Sequence, residues 1–279
     1  MKLASFLSIV LMTGFLLVAV MRLHPVGQAT GDPDVFSDRG NVIIDVQNVA
    51  TMDDYFLRNG QMETGSNNIV TSVVFDYRAF DTLGEAAVLF IVVTSITMLL
   101  YGLIKPGETP DDVIIAADGF PLKISRIVTI GALLLFPVIA AFGAYIIIHG
   151  HLSPGGGFQG GAILGTGTAL LLASSYMTKK LYKTYKTFAF FESFGLTLFI
   201  GLGFAGVGGS FLYNFLANGD PLLFGRVIEM GPNGGFLNSG GILPLLSLAV
   251  GIEVFSGISI ILIMLNKALY LNKSQKSEG

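Results

Sequence analysis

His149-Gly150-His151-Leu152-Ser153-Pro154-Gly155-Gly156-Gly157-Phe158-Gln159-Gly160-Gly161 is the stretch on which the reading of this chain turns. It joins two long apolar segments, so it is either a tight hairpin between membrane helices or a break inside the membrane. Pro154 has no backbone N–H to donate, and the run Gly155 to Gly157 carries no Cβ to hold it in a helix. Such a run ends one helix and lets the next begin with its backbone open to close packing. Gly161, Gly165 and Gly167 continue the small-residue pattern, and the four-residue spacing of Gly157, Gly161 and Gly165 puts those three on one face. In a bilayer that face lets a neighbouring helix approach closely. A packed hairpin built on Ser153, Pro154, Gly155, Gly156, Gly157, Gln159, Gly160 and Gly161 is favoured over a ligand-binding loop, because small-residue membrane interfaces are common.

Composition places the chain in lipid. Hydrophobic residues make up 52% of its 279 residues and charged ones 13%, with a mean hydropathy of +0.70. The absence of cysteine excludes disulfides, thiolate-held iron–sulfur clusters and cysteine nucleophiles within it. No basic face interleaved with aromatics supports nucleic-acid binding.

The expected fold is an all-α integral membrane protein of about six transmembrane helices. The first runs from about Leu3 to Met21, without charge, and reads as a retained helix rather than a cleaved signal peptide. An acidic loop follows to about Thr71; Asn41 to Asn48 suit a short strand, and Thr51-Met52-Asp53-Asp54 resembles a helix start. Asn67 to Tyr77 reads as a partly buried helix entering the membrane, and the second crossing runs from about Leu83 to Ile104. A polar linker at 105–124 is the one plausible boundary, dividing a two-helix unit (1–104) from a four-helix unit (125–279). In the second unit, helices are expected at about Arg126 to Ile148 with Pro137 as a kink, Gly157 to Met177, Phe188 to Leu216 and Gly240 to Leu265.

Six crossings put both termini on one side. All ten lysines and Arg126 then share that side, with Lys179, Lys180, Lys183 and Lys186 clustered in one short loop, and five arginines lie opposite. The positive-inside rule makes the lysine side cytoplasmic, so the acidic loop and the His149–Gly157 turn face outward.

The densest polar cluster is Asp76-Tyr77-Arg78-Ala79-Phe80-Asp81-Thr82-Leu83-Gly84-Glu85. Asp81 and Glu85 are four apart and fall on one helix face, with Arg78 near enough to pair with either. Two carboxylates beside a guanidinium can share or pass a proton. The plainer reading is an interfacial cap with Asp81 as N-cap; the two roles can coexist. Glu253 lies near the middle of the last apolar run, where a charge costs at least about 2.5–3.5 kcal/mol. It is therefore protonated, paired across helices or facing a wet cavity. Glu192 reads as an interfacial acid paired with Lys186 near a helix start, and His149 and His151 as hydrogen-bonded turn residues rather than metal ligands. No nucleophile arrangement, phosphate loop or cofactor fingerprint is present, so no metal and no cofactor is expected.

Gly150 to Gly161 resembles the signature of the MnhB subunit of Mrp-type (Mnh) multisubunit Na+/H+ antiporters. Ile242-Leu243-Pro244-Leu245-Leu246-Ser247-Leu248-Ala249-Val250-Gly251-Ile252-Glu253-Val254 resembles that subunit's final helix. The stretch Asn68 to Glu85 resembles the C-terminal end of the large MnhA subunit of the same antiporters. The order of the two modules is also similar to the E and F membrane subunits of archaeal membrane-bound hydrogenases, here joined in one polypeptide. The chain lacks the long antiporter body of a full MnhA subunit, with its channel lysines and glutamates. The resemblance implies a non-catalytic helper of Na+ and H+ exchange in the cell membrane. Its partners would be other Mrp-type antiporter subunits or hydrogenase-like redox subunits, besides the lipid bilayer. A purely structural scaffold and a self-contained carrier with a midplane site are the other readings.

Overall fold

The computed structural model describes residues 52–101, 125–174, 178–206, 211–214, 237 and 239–278. The expected first crossing, the short strand, the 105–124 linker and most of the 218–239 loop lie outside these residues. The described residues are mostly helical and contain no strand. The chain divides into two units, Met1–Asn59 and Gly60–Gly279. Helix α1 (Met52–Thr64) runs over that boundary, and in the first unit Asn59 Nδ2 donates to Tyr55 O at 3.0 Å.

In the second unit a short helix α2 (Ile69–Ser72) leads into one π-helical turn (Val73–Tyr77) and then into α3 (Ala79–Tyr101). Asn68 caps α2 by accepting from Val70 N. The π turn is closed by Arg78 N donating to Val73 O at 2.8 Å, and Thr82 Oγ1 donates to Val74 O at 2.6 Å. Helices α4 (Arg126–Ile148), α5 (Gly157–Ala173), α6 (Thr178–Ala205) and α7 (Leu243–Glu278) follow. Ser125 caps α4, and Pro137 lies inside it.

Among the described residues, four segments are long and apolar enough to cross a bilayer: Ala79–Leu100, Arg126–Ile148, Lys183–Ala205 and Leu243–Asn266. Helix α5, at 17 residues, is a shorter apolar helix. Of the α7 span 61% is buried inside the chain, against 11% to 22% for the other three. Helix α7 is thus the central element; α5, α6 and α3 pack on it, and α4 reaches it mainly through α5. The outer faces of α3, α4 and α6 carry exposed Ile91, Met98, Leu134, Val138, Phe190 and Phe204, suited to lipid or neighbouring subunits.

Three helix ends differ most from expectation. Helix α6 begins at Thr178, so the lysine cluster forms its first turns instead of a loop. Nothing between Lys179 and Glu192 breaks a helix, since the segment has neither Gly nor Pro. The helix also ends at Ala205 rather than near Leu216, because the chain turns back at Gly206. A Cβ there would lie 2.5 Å from Tyr213 O. Helix α7 runs on to Glu278, past the expected end at Leu265.

The hairpin is tight. His149 closes α4, Leu152 N and Ser153 N both donate to His149 O at 2.9 Å, and α5 starts at Gly157. Gly156 has φ 148 and ψ −167, a conformation essentially reserved for glycine. The glycine face of α5 meets α7: a Cβ at Gly157 would lie 2.4 Å from Ser247 O, and one at Gly161 2.8 Å from Gly251 O. At Gly165 it would lie 2.6 Å from Ile258 Cγ2. Gly160 faces the other way, towards α4, where a Cβ would stand 2.7 Å from Gly143 O. Helix α5 is pressed between α4 and α7 at near backbone distance.

The polar segment before α2 locks the hairpin. Asn68 Nδ2 donates to Gly150 O at 2.8 Å and to Ser153 O at 2.9 Å. Asn68 N and Ser66 Oγ donate to His151 O at 3.1 and 2.8 Å, and Thr71 Oγ1 donates to Gly150 O at 2.7 Å. Carbonyls that a tight turn leaves without helical partners are thereby satisfied. Asn68→Ala removes two of these bonds and is expected to cost about 1–3 kcal/mol. The check is a lowered Tm in detergent together with faster amide exchange at Gly150 to Gly156.

Candidate functional site

The last apolar run becomes α7 because no proline follows Pro244, which stands in the first turn. Glu253 lies ten residues beyond Leu243, about 15 Å along the helix, near the middle of a hydrocarbon core about 30 Å thick. Its side chain is fully buried, and neither carboxylate oxygen has a hydrogen-bond partner.

Helix α6 brings up a second acid. Glu192 is nine residues into the Lys183–Ala205 span, again near mid-depth at about 14 Å. It is 5% exposed, and its Oε1 has no hydrogen-bond partner. The expected pairing with Lys186 is not made: Lys186 is exposed, while Glu192 faces α7. The longer helix explains the difference, since the added N-terminal turns move Glu192 from the membrane edge to its interior.

Glycines set the separation of α6 and α7. A Cβ at Gly195 would lie 2.7 Å from Ala249 O and 2.8 Å from Glu253 N. A Cβ at Gly257 would lie 3.6 Å from Glu192 Oε1. Each acid therefore sits opposite a glycine of the other helix, the two helices run antiparallel here, and the two carboxyls are within electrostatic reach of each other. Ser256, one turn from Glu253, is 1% exposed, and its Oγ also has no partner. One step further, Thr168 Oγ1 of α5 and Ser259 Oγ of α7 are 2.9 Å apart. At the other end Ser247 Oγ donates to Ile147 O at 3.1 Å. Helix α7 thus carries a line of buried oxygens through an apolar interior.

The second candidate cluster is arranged differently. Arg78 Nε pairs with Asp81 Oδ2 at 2.7 Å, both side chains being substantially exposed. Asp81 stands in the first turn of α3, which starts at Ala79, so it is not the N-cap. Asp76 is part of the π turn and half-buried. Glu85 is exposed on α3, beside Gly84, where an added Cβ would meet nothing within 4 Å. Arg78 therefore serves Asp81 and not Glu85, and this cluster is not brought together with the Glu192–Glu253 pair.

The histidines separate. His149 stacks on Tyr145 with ring centroids 4.0 Å apart, and its Nδ1 lies 3.1 Å from Tyr145 O. His151 is fully buried beside Gly240 and accepts hydrogen bonds through its carbonyl. Among the described residues no group of three His, Cys, Asp or Glu is placed to hold a metal ion. In the hairpin, Pro154 and Gln159 are exposed and Ser153 is half-buried, whereas Gly156, Gly157, Gly160 and Gly161 are buried.

Sequence reasoning did not single out Ser256, Thr168 or Ser259, nor the clamp of Ser66, Asn68 and Thr71. A usable signal existed for the pair: Gly195 follows Glu192 by three residues and Gly257 follows Glu253 by four. An acid and a glycine one turn apart on each of two apolar helices is the pattern of a close crossing that carries polar groups.

Residues 127–260 match the family model for the domain related to the MnhB subunit of Na+/H+ antiporters, and residues 40–111 match the MbhE family model, the E subunit of MBH. The chain is similar to an uncharacterized protein of Methanocaldococcus jannaschii, 29% identical over 225 residues, covering 76% of this chain and 82% of that one. It is also similar to a probable K(+)/H(+) antiporter A/B subunit of Rhizobium meliloti, 32% identical over 134 residues, covering 43% of this chain and 13% of that longer protein. Among solved structures, one similar chain belongs to the membrane-bound sulfane sulfur reductase, an archaeal respiratory membrane complex. It is 30% identical with a TM-score of 0.58, covering 95% of this chain and 97% of that one. A chain of the Mrp complex from Dietzia sp. shares the fold, with a TM-score of 0.52 at 24% identity, covering 77% of this chain and 22% of that one. Taken with the helix arrangement, these likenesses place the protein: it belongs to the MnhB-related family of multi-pass membrane subunits of cation/proton antiporter-type complexes.

Proposed function

We propose that the chain serves ion translocation through the Glu192–Glu253 pair while its glycine hairpin fixes the packing that holds the pair in place. The observation that carries this reading is two buried acids on the apolar helices α6 and α7, with Glu192 Oε1 and both Glu253 carboxylate oxygens lacking hydrogen-bond partners, at a glycine-spaced helix crossing. Burial of such groups without compensation is costly, so their retention marks ion or proton handling. A scaffold needs no acid there; an apolar residue would pack as well and fold more stably.

The remaining roles follow from position. The two modules, 1–104 and 125–279, act as one polypeptide in place of two adjacent subunits. The Arg78–Asp81 pair, with Asp76 and Glu85 nearby in sequence, lies at the membrane surface on the outer side, His149 and His151 lie in the outer turn, and both termini are cytoplasmic in the cell membrane. Exposed Glu85 beside open Gly84 suits contact with a neighbouring protein of the complex. Sodium and protons are the exchanged ions of this reading, and the host is either a free-standing Mrp-type antiporter or a redox-driven respiratory complex.

Purification of the tagged chain in mild detergent from its own cells tests the assignment to a complex. Co-purification of Mrp-type subunits alone identifies a free-standing antiporter, and additional nickel–iron or iron–sulfur subunits identify a redox-driven one. A single polypeptide that still transports ions in vesicles contradicts the reading.

A further inference from the structure

We propose that Glu192, Glu253 and Ser256 form a binding site for one dehydrated monovalent alkali cation, taken up as one proton leaves. This deepens the function proposed above and rests on it only for the link to transport. Four oxygens are buried there without a hydrogen-bond partner: Glu192 Oε1, Glu253 Oε1 and Oε2, and Ser256 Oγ. Buried polar atoms are nearly always satisfied, so four such atoms on one helix crossing ask for a missing ligand. The donor set is oxygen only, which suits hard cations and not soft or imidazole-seeking metals.

Charge decides between valences. Among the described side chains, α5 contributes no ionisable group. Those of α4, Arg126, Tyr145 and His149, lie near its two ends, and the α3 acids Asp81 and Glu85 are exposed. Asp76 and Tyr77 belong to the π turn, before α3 begins. On α6, Lys183 and Lys186 lie towards the end opposite Gly195 and are exposed. Glu192 is the ionisable side chain that the α6–α7 crossing brings beside the Glu253 turn, its Oε1 3.6 Å from a Cβ placed at Gly257. With no cationic side chain at hand, the two carboxyls are neutral when both are protonated; loss of one proton leaves the pair sharing the other and carrying a single negative charge, which one monovalent cation neutralises. The exchange then leaves the crossing's composition simple: the cation enters, one proton departs to water, and no other group changes state. The glycines opposite each acid, Gly195 and Gly257, keep the two helices near enough for both carboxyls to reach the same ion.

The test uses the intact complex in native membranes. Dicyclohexylcarbodiimide modifies protonated carboxyls in apolar surroundings, and peptide mass spectrometry reads the modification of Glu192 and Glu253. The proposal expects modification in choline chloride that falls severalfold in sodium or potassium chloride. Ser256→Ala should raise the half-protecting cation concentration severalfold, and Glu192→Gln should leave Glu253 reactive but unprotected. Equal modification in all three salts, or none in any, overturns the site. Protection that persists in a complex whose transport ignores both acids keeps the site and refutes its proposed part in transport.

Discussion

Glu253→Met is expected to raise the stability of the purified complex by about 1–3 kcal/mol, measured as an increase in Tm in detergent with choline as the cation. The substitution preserves the side chain's length and replaces two buried oxygens lacking partners with apolar atoms. Most substitutions at a fully buried position destabilise, so a gain is a strong expectation. The same variant should lose cation-dependent proton movement. Stability and activity would then move in opposite directions, as expected where a residue is kept for function against its own folding cost. A fall in Tm would instead mean that the carboxyl holds the helices together.

Gly161→Val should have the largest effect on folding. A Cβ at this position already lies 2.8 Å from Gly251 O and 2.8 Å from Val254 Cβ, so two backbone-anchored groups of α7 would have to move. Overpacking of this kind costs about 1–3 kcal/mol for a single methyl, and a branched side chain exceeds it. Loss of the monodisperse complex on size-exclusion chromatography is the expected readout. Gly131→Ala provides the contrast, because no atom lies within 4 Å of its added Cβ. There the better helix former should leave the chain unchanged or stabilise it by about 1 kcal/mol or less.

Much of the architecture could be read from the residues. The apolar runs give helices α3 to α7, and the Arg126–Ile148 boundaries coincide with expectation. Apolar length is a strong signal in a membrane because the hydrocarbon thickness fixes it. The start of α6 was less legible, since lysine and tyrosine at a membrane edge suit a loop and a helix equally. That ambiguity also hid Glu192: with the helix started late, the acid falls at the interface, and with it started at Thr178, the acid falls inside. The glycine spacing of α5 announced a close neighbour but could not name α7, because nothing along one helix identifies what packs on it. The clamp from Asn68 to the hairpin joins residues 82 and 85 positions apart, a separation no local pattern encodes.

The central claim is that two carboxyls at the α6–α7 crossing are working parts of an ion path. Its most direct test is cation-dependent proton movement in inverted vesicles carrying equal amounts of intact complex. Parent, Glu192→Gln and Glu253→Gln would be compared, with a pH-sensitive dye as readout. Both variants should assemble, and Glu253→Gln should lose at least about tenfold in rate, a change of about 1.4 kcal/mol in the barrier. Parent-like transport by both variants, in complexes of unchanged composition, would contradict the claim.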